Sequence, residues 1–378
     1  MAQNLDGPAR DSIDLAGIPG KPVVGPPRKQ RKLYAALDLG TNSCRMLIAT
    51  PEREHFRVVD AFAKSVRLGS GLERTGSLSR SGIHRTLAAL GVCADKIRRH
   101  DVANVRLVAT EACRRARNGS HFLSLAARET GLKLELIRPE EEARLAVISC
   151  APLVAPDARQ VLVFDIGGGS TELVWIDLSE VGPECRADAI VNLHLGGRAK
   201  LRASGARIVD FISVPLGVAT LHERFADVVE DGARFALMSC YFEEQIMNFK
   251  PYVRCLSDSE VSGFQMIGTS GTVTTVGAAH LGLRRYDRRK VDGMKLTTRA
   301  IEDVIARFLR LGPEGRRCQI GLGRDRSELI MSGVAILQTL LRVWPTESMR
   351  VADRGLREGM LFAMMSADGC FCESSTRG

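Results

Sequence analysis

Two stretches of this 378-residue chain place an acid, a tight turn and several hydroxyls between two apolar runs. One is "VLVFDIGGGSTELVWI" at 161–176, where Asp165 precedes Gly167, Gly168 and Gly169, and Ser170, Thr171 and Glu172 follow. The other is "LYAALDLGTNSCRMLI" at 33–48, with Asp38 ahead of Gly40, Thr41, Asn42 and Ser43. Three consecutive glycines remove every side chain that would keep another group away from the backbone, and a phosphate is the obvious group to admit. For the triple-glycine stretch alone, a loose glycine hairpin explains as much. Its recurrence at half-chain scale, with the acids in equivalent places, favours phosphate.

Two such loops facing each other supply backbone N–H donors to successive phosphates. Thr41, Ser43, Ser170 and Thr171 add hydroxyl donors. Asp38, Asp165 and Glu172 cannot favourably touch phosphate themselves. They make sense around a divalent cation, since Mg²⁺ takes one or two carboxylates together with phosphate oxygens. A third donor-rich loop, "GTSGT" at 268–272, offers Ser270, Gly271 and Thr272 ahead of a helix whose N-terminus favours anions. In "RPEEEAR", residues 138–144, a proline followed by acids is ordinary helix capping. That leaves room for one of the glutamates to face a cleft as a general base. Arg114, in "TEACRRARN", suits bidentate phosphate binding, although an arginine at a helix start is commonly just solvated.

The elements that would position these groups read as a repeat. Three strands come first, "KLYAALDLG", "CRMLIAT" and "HFRVVDAF", then a helix over 79–99 capped by Ser79 or Ser81. Strand "VRLVAT", a helix near 119–130, strand "KLELI" and a helix opening at Pro139 complete the first set. A similar order begins again at 161, with helical patterns at 232–248, 298–311 and 326–344. The expected fold is α/β, a duplicated domain facing its copy across a cleft. Residues 1–30 are expected to form a disordered basic arm, 31–154 the first domain, 155–350 the second, and 351–378 a helix returning to the first. Residues 180–210 read as an irregular, basic strand connection.

Composition narrows the partners. The net charge of +9 suits a polyanion, whereas 5% aromatic residues argue against base-stacking platforms, so nucleic acid is not expected. The ten cysteines show no CxxC or Cys/His zinc spacing. No export signal and no stretch near the ~18 apolar residues of a membrane span are visible, which points to a reduced cytoplasm.

Taken in order, "DLGTNSCRMLI", "TEACRRARN", "EEEARL", "VFDIGGGSTEL", "GTSGT", "DRSELIMSGVAIL" and "ADRGLREGML" resemble the exopolyphosphatase/guanosine pentaphosphate phosphohydrolase (Ppx/GppA) family over residues 33 to about 365. The resemblance implies duplicated ribonuclease H-like domains of the actin-like ATPase superfold. It also implies removal of terminal phosphate from polyphosphate or guanosine pentaphosphate with Mg²⁺ (or Mn²⁺), and a homodimer. Carried over by position, Glu142 is similar to the water-activating base, Asp165 and Glu172 to the acids of the metal and phosphate site, Arg114 to a phosphate ligand, and Arg326 to an arginine near the cleft. Longer family members carry further helical domains, so any grip on long polyphosphate supplied by those domains is expected to be missing here. Two alternatives accompany this reading: a same-fold kinase using ATP, and a non-catalytic sensor of polyphosphate or guanosine tetraphosphate. No acceptor motif for a kinase is visible, and Glu142, Asp165 and Glu172 argue against a mere sensor.

Overall fold

The computed structural model describes residues 32–53, 55–193, 205–253, 263–319 and 322–371, with the backbone alone at 324 and 325. The expected N-terminal arm lies outside the described residues, as do residues 194–204 of the basic connection. The remainder of that connection is less irregular than expected, because Arg186–Val191 forms a short helix before the next strand.

The first sheet contains β1 (Tyr34–Leu39), β2 (Ser43–Glu52), β3 (His55–Ser65), β4 (Asn104–Ala109) and β5 (Glu135–Leu136), in the order β3-β2-β1-β4-β5. The second contains β6 (Gln160–Ile166), β7 (Thr171–Asp177), β8 (Arg207–Val214), β9 (Phe264–Thr269), β10 (Lys295–Thr297) and β11 (Ser348–Ala352), in the order β10-β11-β9-β6-β7-β8. Both begin with an antiparallel meander whose first strand then pairs in parallel with the strand that follows a crossover. The duplication is therefore topological. β8-β7-β6-β9-β11 repeats β3-β2-β1-β4-β5, and β10 is an added antiparallel edge.

Both sheets are covered on both faces, as strands so continuously apolar require. The first packs one face on the helices Arg80–Arg99 and Gly119–Thr130, through Leu37, Leu90, Cys93 and Phe122. Ser79 caps the longer of these by accepting from the Gly82 N–H. Its other face takes Leu145 of the Pro139–Cys150 helix and Leu356, Met360, Leu361 and Met365 of the Leu356–Ala367 helix. The Pro139–Cys150 helix also gives Ala143, Val147 and Cys150 to the core beneath the second sheet. From Leu145 to Cys150 it is buried all round because it lies between the two halves. A Cβ on Gly359 would stand 2.1 Å from the Leu145 carbonyl oxygen, so the two helices meet at backbone distance.

Candidate active site

The two acid-and-turn hairpins superpose in register. Asp38 lies opposite Arg45 across β1 and β2, and Asp165 lies opposite Glu172 across β6 and β7. Directly opposed residues share a face of the sheet, so each hairpin presents a pair of polar groups at its turn end. The tips of the two hairpins touch. A Cβ on Gly169 would lie 2.3 Å from Thr41 Oγ1, and one on Gly168 would lie 3.1 Å from the Asn42 nitrogen. None of Gly167, Gly168 and Gly169 has a positive φ; closeness to the first loop requires Gly168 and Gly169, and the Ser170 carbonyl oxygen, 2.9 Å from where a Cβ would sit, requires Gly167.

The Val218–Arg224 helix begins against the same loop. Its Val218 and Ala219 N–H groups donate to the carbonyls of Gly167 and Gly168 at 2.9 and 2.8 Å. Among the described residues, the N–H groups of Gly168 and Gly169 meet no protein acceptor, and the buried Thr41 Oγ1 has no partner. The third loop follows β9. Ser270 holds a φ of 121°, strained for a residue with a side chain, and its Oγ accepts from the Thr272 N–H at 3.2 Å at the start of the Gly271–His280 helix. Together the three loops line a cavity of about 480 Å³.

The three glutamates after Pro139 diverge. Glu140 pairs with Arg138 at the surface, and Glu141 turns to Arg106 of β4 at 2.9 Å and to Arg144 at 2.7 Å. Glu142 lines the cavity and accepts from Arg114 Nη1 at 2.9 Å. Arg114 also donates to Glu111 at 2.9 Å and to the Ile137 carbonyl at 2.8 Å.

Charge is unevenly distributed around the cavity. Burial pushes Glu142 up to about 7, against the pull of Arg114 and with help from Asp38 and Asp165. Burial likewise pushes Asp165 up to about 6, with Asp38 adding to the shift and Arg45 opposing it. Asp38 is raised by burial but drawn back by Arg45 and Arg357. Glu172 is raised well above the usual range by burial, Glu142 and Asp165, and its relief comes only from hydrogen bonds with Ser170 and Ser213. Arg45 is lowered by burial and by the nearby Arg357 and Arg326. The cavity thus has an acidic wall around Glu142, Asp165 and Glu172, and an arginine wall around Arg45, Arg326 and Arg357.

Most residues singled out in the sequence converge here: Asp38, Gly40, Thr41, Asn42, Ser43, Glu142, Asp165, Gly167, Gly168, Gly169, Ser170, Glu172, Ser270, Gly271, Thr272 and Arg326 all line the cavity. Two do not. Arg114 stands behind Glu142 with its guanidinium occupied by protein acceptors, so it is not placed to grip phosphate. Thr171 is fully buried and spends its hydroxyl on the Leu216 carbonyl at 2.7 Å. The expected trio Asp38, Asp165 and Glu172 does not form a ready ligand cage, since no three His, Cys, Asp or Glu side chains among the described residues converge closely enough to hold a metal. Sequence reasoning missed Arg45 and Arg357. The signal for Arg45 was present, because it follows Asp38 by the same interval at which Glu172 follows Asp165.

No helix among the described residues is long and apolar enough to cross a membrane. A sequence profile of the Ppx/GppA phosphatase family matches residues 47–368. A curated relative, the guanosine-5'-triphosphate,3'-diphosphate pyrophosphatase of Aeromonas salmonicida, is 29% identical over 88% of this chain and 59% of its own length. The chain thus spans less than two thirds of that relative. A crystal structure of the Aquifex aeolicus Ppx/GppA family member, 27% identical, superposes with a TM-score of 0.68 over 89% of this chain and 98% of that one. An exopolyphosphatase from Cytophaga hutchinsonii shares the fold, with 20% identity and a TM-score of 0.72 over 89% of this chain and 98% of its own. The repeated sheets and hairpins therefore form the two-domain actin-like architecture of these proteins, and the chain belongs to the Ppx/GppA phosphatase family.

Proposed function

We propose that the chain is a phosphohydrolase that removes the terminal phosphate of guanosine pentaphosphate or inorganic polyphosphate, using a water activated by Glu142. One observation carries the reading: of three adjacent glutamates, only Glu142 enters the cavity of the glycine loops, where burial raises it to about 7. A base with a pKa near the working pH combines sufficient ionised fraction with sufficient proton affinity. Water attacks the terminal phosphorus in line, Glu142 takes its proton, and the shortened phosphate chain leaves. The Gly168 and Gly169 N–H groups, the Thr41 hydroxyl and Arg45 are the donors available to phosphoryl oxygens. Arg114 orients Glu142 from behind.

The acidic wall fits a divalent cation. Glu172 has no arginine among its close influences, and its proton affinity is raised by two neighbouring carboxylates, a repulsion that a cation relieves. Asp165 and Glu172 would hold Mg²⁺ or Mn²⁺ together with substrate oxygens and water, consistent with a site lacking three convergent protein ligands. Bound there, the ion would neutralise charge on the phosphoryl oxygens. The family resemblance further supports a homodimer working in the cytoplasm.

The names of the Aeromonas and Cytophaga proteins support the two substrate classes. Phosphate release from each, measured without any acceptor, tests the reading. Release that is lost in Glu142→Gln and kept in Glu140→Gln is the expected result. Binding without release would favour a sensor, and transfer only with an added acceptor would favour a kinase.

A further inference from the structure

A continuous run of ion pairs joins Glu142 to the opposite half of the molecule. It starts at the end of the Val218–Arg224 helix, whose first residues hold the carbonyls of the Gly167–Gly169 loop. Arg224 Nη2 lies 3.1 Å from Glu73 Oε2, on the short Leu72–Thr75 helix of the first half. Beside it, the Gly71 N–H donates to Glu223 at 3.1 Å. Glu73 Oε1 lies 2.6 Å from Arg115 Nη1, and Arg115 Nε lies 3.8 Å from Glu111 Oε1. Glu111 Oε2 accepts from Arg114 at 2.9 Å, and Arg114 donates to Glu142 at 2.9 Å.

Acid and base alternate through six side chains. Arg224 and Arg115 are partly exposed, at 41% and 32%, whereas the three carboxylates are largely buried, Glu73 and Glu142 alike at 13%. The partly exposed arginines limit what the outer pairs stabilise by themselves. Their effect lies in choice. Arg115 is shared between Glu73 and Glu111, and Arg114 between Glu111 and Glu142. When one acceptor is lost, its arginine turns to the carboxylate that remains, and the next arginine inward is redistributed between its own two carboxylates in turn, which shifts the hold on Glu142. Discrete alternatives of this kind are what carry coupling between sites.

We infer that Glu73, Arg115 and Glu111 are positioning residues through which the seating of the Val218–Arg224 helix on the first half sets the orientation of Glu142. The inference rests on Glu142 being the base. Its consequence is that water is activated fully only when the helix beneath the second phosphate loop is docked, so hydrolysis is tied to a closed cleft.

Steady-state kinetics and thermal melts on the full chain test this, with guanosine pentaphosphate or polyphosphate, whichever the parent hydrolyses. Glu73→Gln and Glu111→Gln should each lower kcat by about 3- to 30-fold while KM stays within about twofold. The double variant should be no slower than the slower single, since both break one relay. Arg224→Lys should keep most of kcat and Arg224→Gln should not. In a Glu142→Gln background, none of these changes should lower turnover further. Multiplying effects in the double variant, a change confined to KM, or a change confined to melting temperature would overturn the relay. An inactive Glu142→Gln beside a Glu73→Gln with parental kcat removes the relay alone. A fully active Glu142→Gln removes both the base and the relay that ends on it. Should Glu111→Gln fail to fold, Glu73→Gln and the Arg224 pair, at the outer end, still decide.

Discussion

Arg114 reaches Glu142 from the side away from the cavity, at 2.9 Å, and its remaining donors go to Glu111 and the Ile137 carbonyl. An arginine committed in this way is placed to orient Glu142. Arg45 is in the opposite situation. It lines the cavity with no ion pair within reach among the described residues, and its guanidinium lies 3.6 Å from where a Cβ on Gly271 would sit, so it extends to the third loop.

That contrast predicts a kinetic split. Arg114→Gln should lower kcat with little change in KM, because it disturbs orientation at the reacting centre. Arg45→Gln should raise KM about 10-fold or more, as loss of a charge-assisted phosphate contact of roughly 1.5–3 kcal/mol implies. Initial-rate measurements on the two variants check it, and the reverse pattern would return Arg114 to the role of phosphate ligand.

The pH dependence follows from the raised carboxylates. As the proposed base, Glu142 must be ionised to accept a proton, so kcat/KM should climb through about pH 7 and then level. Stability should run the other way. Glu142 stands at about 7 when folded against 4.5 ordinarily, and Asp165 at about 6 against 3.8. Between those values the native state binds more protons than the unfolded chain, so stability is greatest below about pH 4 with respect to these groups and is lost as pH rises to about 7. Glu142→Gln cannot ionise and should escape about 1–3 kcal/mol of that loss. Melts of both proteins at about pH 5 and pH 8, in chelator, should show the variant gaining relative to the parent at the higher pH.

Much of this was legible because the duplication is written into local signals. An apolar strand, an acid, a turn and a second strand recur, and hydrogen-bonded hairpins put the acids and their partners in the same register in both sheets. Three things were not legible. Arg114 looked like a phosphate ligand because Glu142, which with the local Glu111 occupies it, lies on another helix 28 residues on, and only packing brings the two together. Thr171 looked like a donor beside Ser170, but strand alternation turns the two to opposite faces and buries Thr171 beside Leu216. The Gly167–Gly169 run suggested room for a phosphate, but the group closest to Gly169 is Thr41, 128 residues away in the chain, against which it packs. Tertiary partners of this kind leave no local trace.

The same contact gives a steric prediction. Gly169→Ala would drive its methyl to 2.3 Å from Thr41 Oγ1, at the junction of the two phosphate loops. It should cost about 1–3 kcal/mol and most of the activity. Pairing it with Thr41→Ala, which removes the colliding oxygen, should recover stability. Denaturant melts of the single and double variants measure the recovery, and strictly additive losses would show that some other contact makes the glycine necessary.

Phosphate release should stop in excess EDTA and return with Mg²⁺ or Mn²⁺. Asp165→Asn should raise the cation concentration needed for half-maximal activity. Asp38→Asn should do so much less, because Arg45 and Arg357 already oppose the charge of Asp38, whereas the main protein charge opposing Asp165 is Arg45. Cation titrations of the three proteins separate the roles, and an Asp38 variant with the larger shift would move the ion to the arginine side of the cavity.

The helix that carries Glu142 is held against the Leu356–Ala367 helix at backbone distance, so the contact at Gly359 bears on where Glu142 sits. A methyl there would fall 2.1 Å from the Leu145 carbonyl oxygen, a backbone atom that no rotamer change can move aside. Gly359→Ala must therefore separate the two helices or shift the Pro139–Cys150 helix along its axis. Either change displaces Glu142, which is three residues before Leu145 on that helix. The expected outcome is a loss of about 1–3 kcal/mol of stability, as for other over-packed contacts, and a fall in kcat with KM little changed. Gly91 supplies the control. It lies inside the Arg80–Arg99 helix with nothing within 4 Å of an added Cβ and no positive φ. Gly91→Ala should stabilise by about 0.4–1 kcal/mol through reduced freedom of the unfolded chain, and should leave turnover unchanged. Opposite signs for two Gly→Ala changes in two helices, read from melts and initial rates, would show that the glycine matters at 359 for its closeness to Leu145 and not for its backbone. Equal and small effects would mean that the helix pair yields easily and that Glu142 does not depend on it.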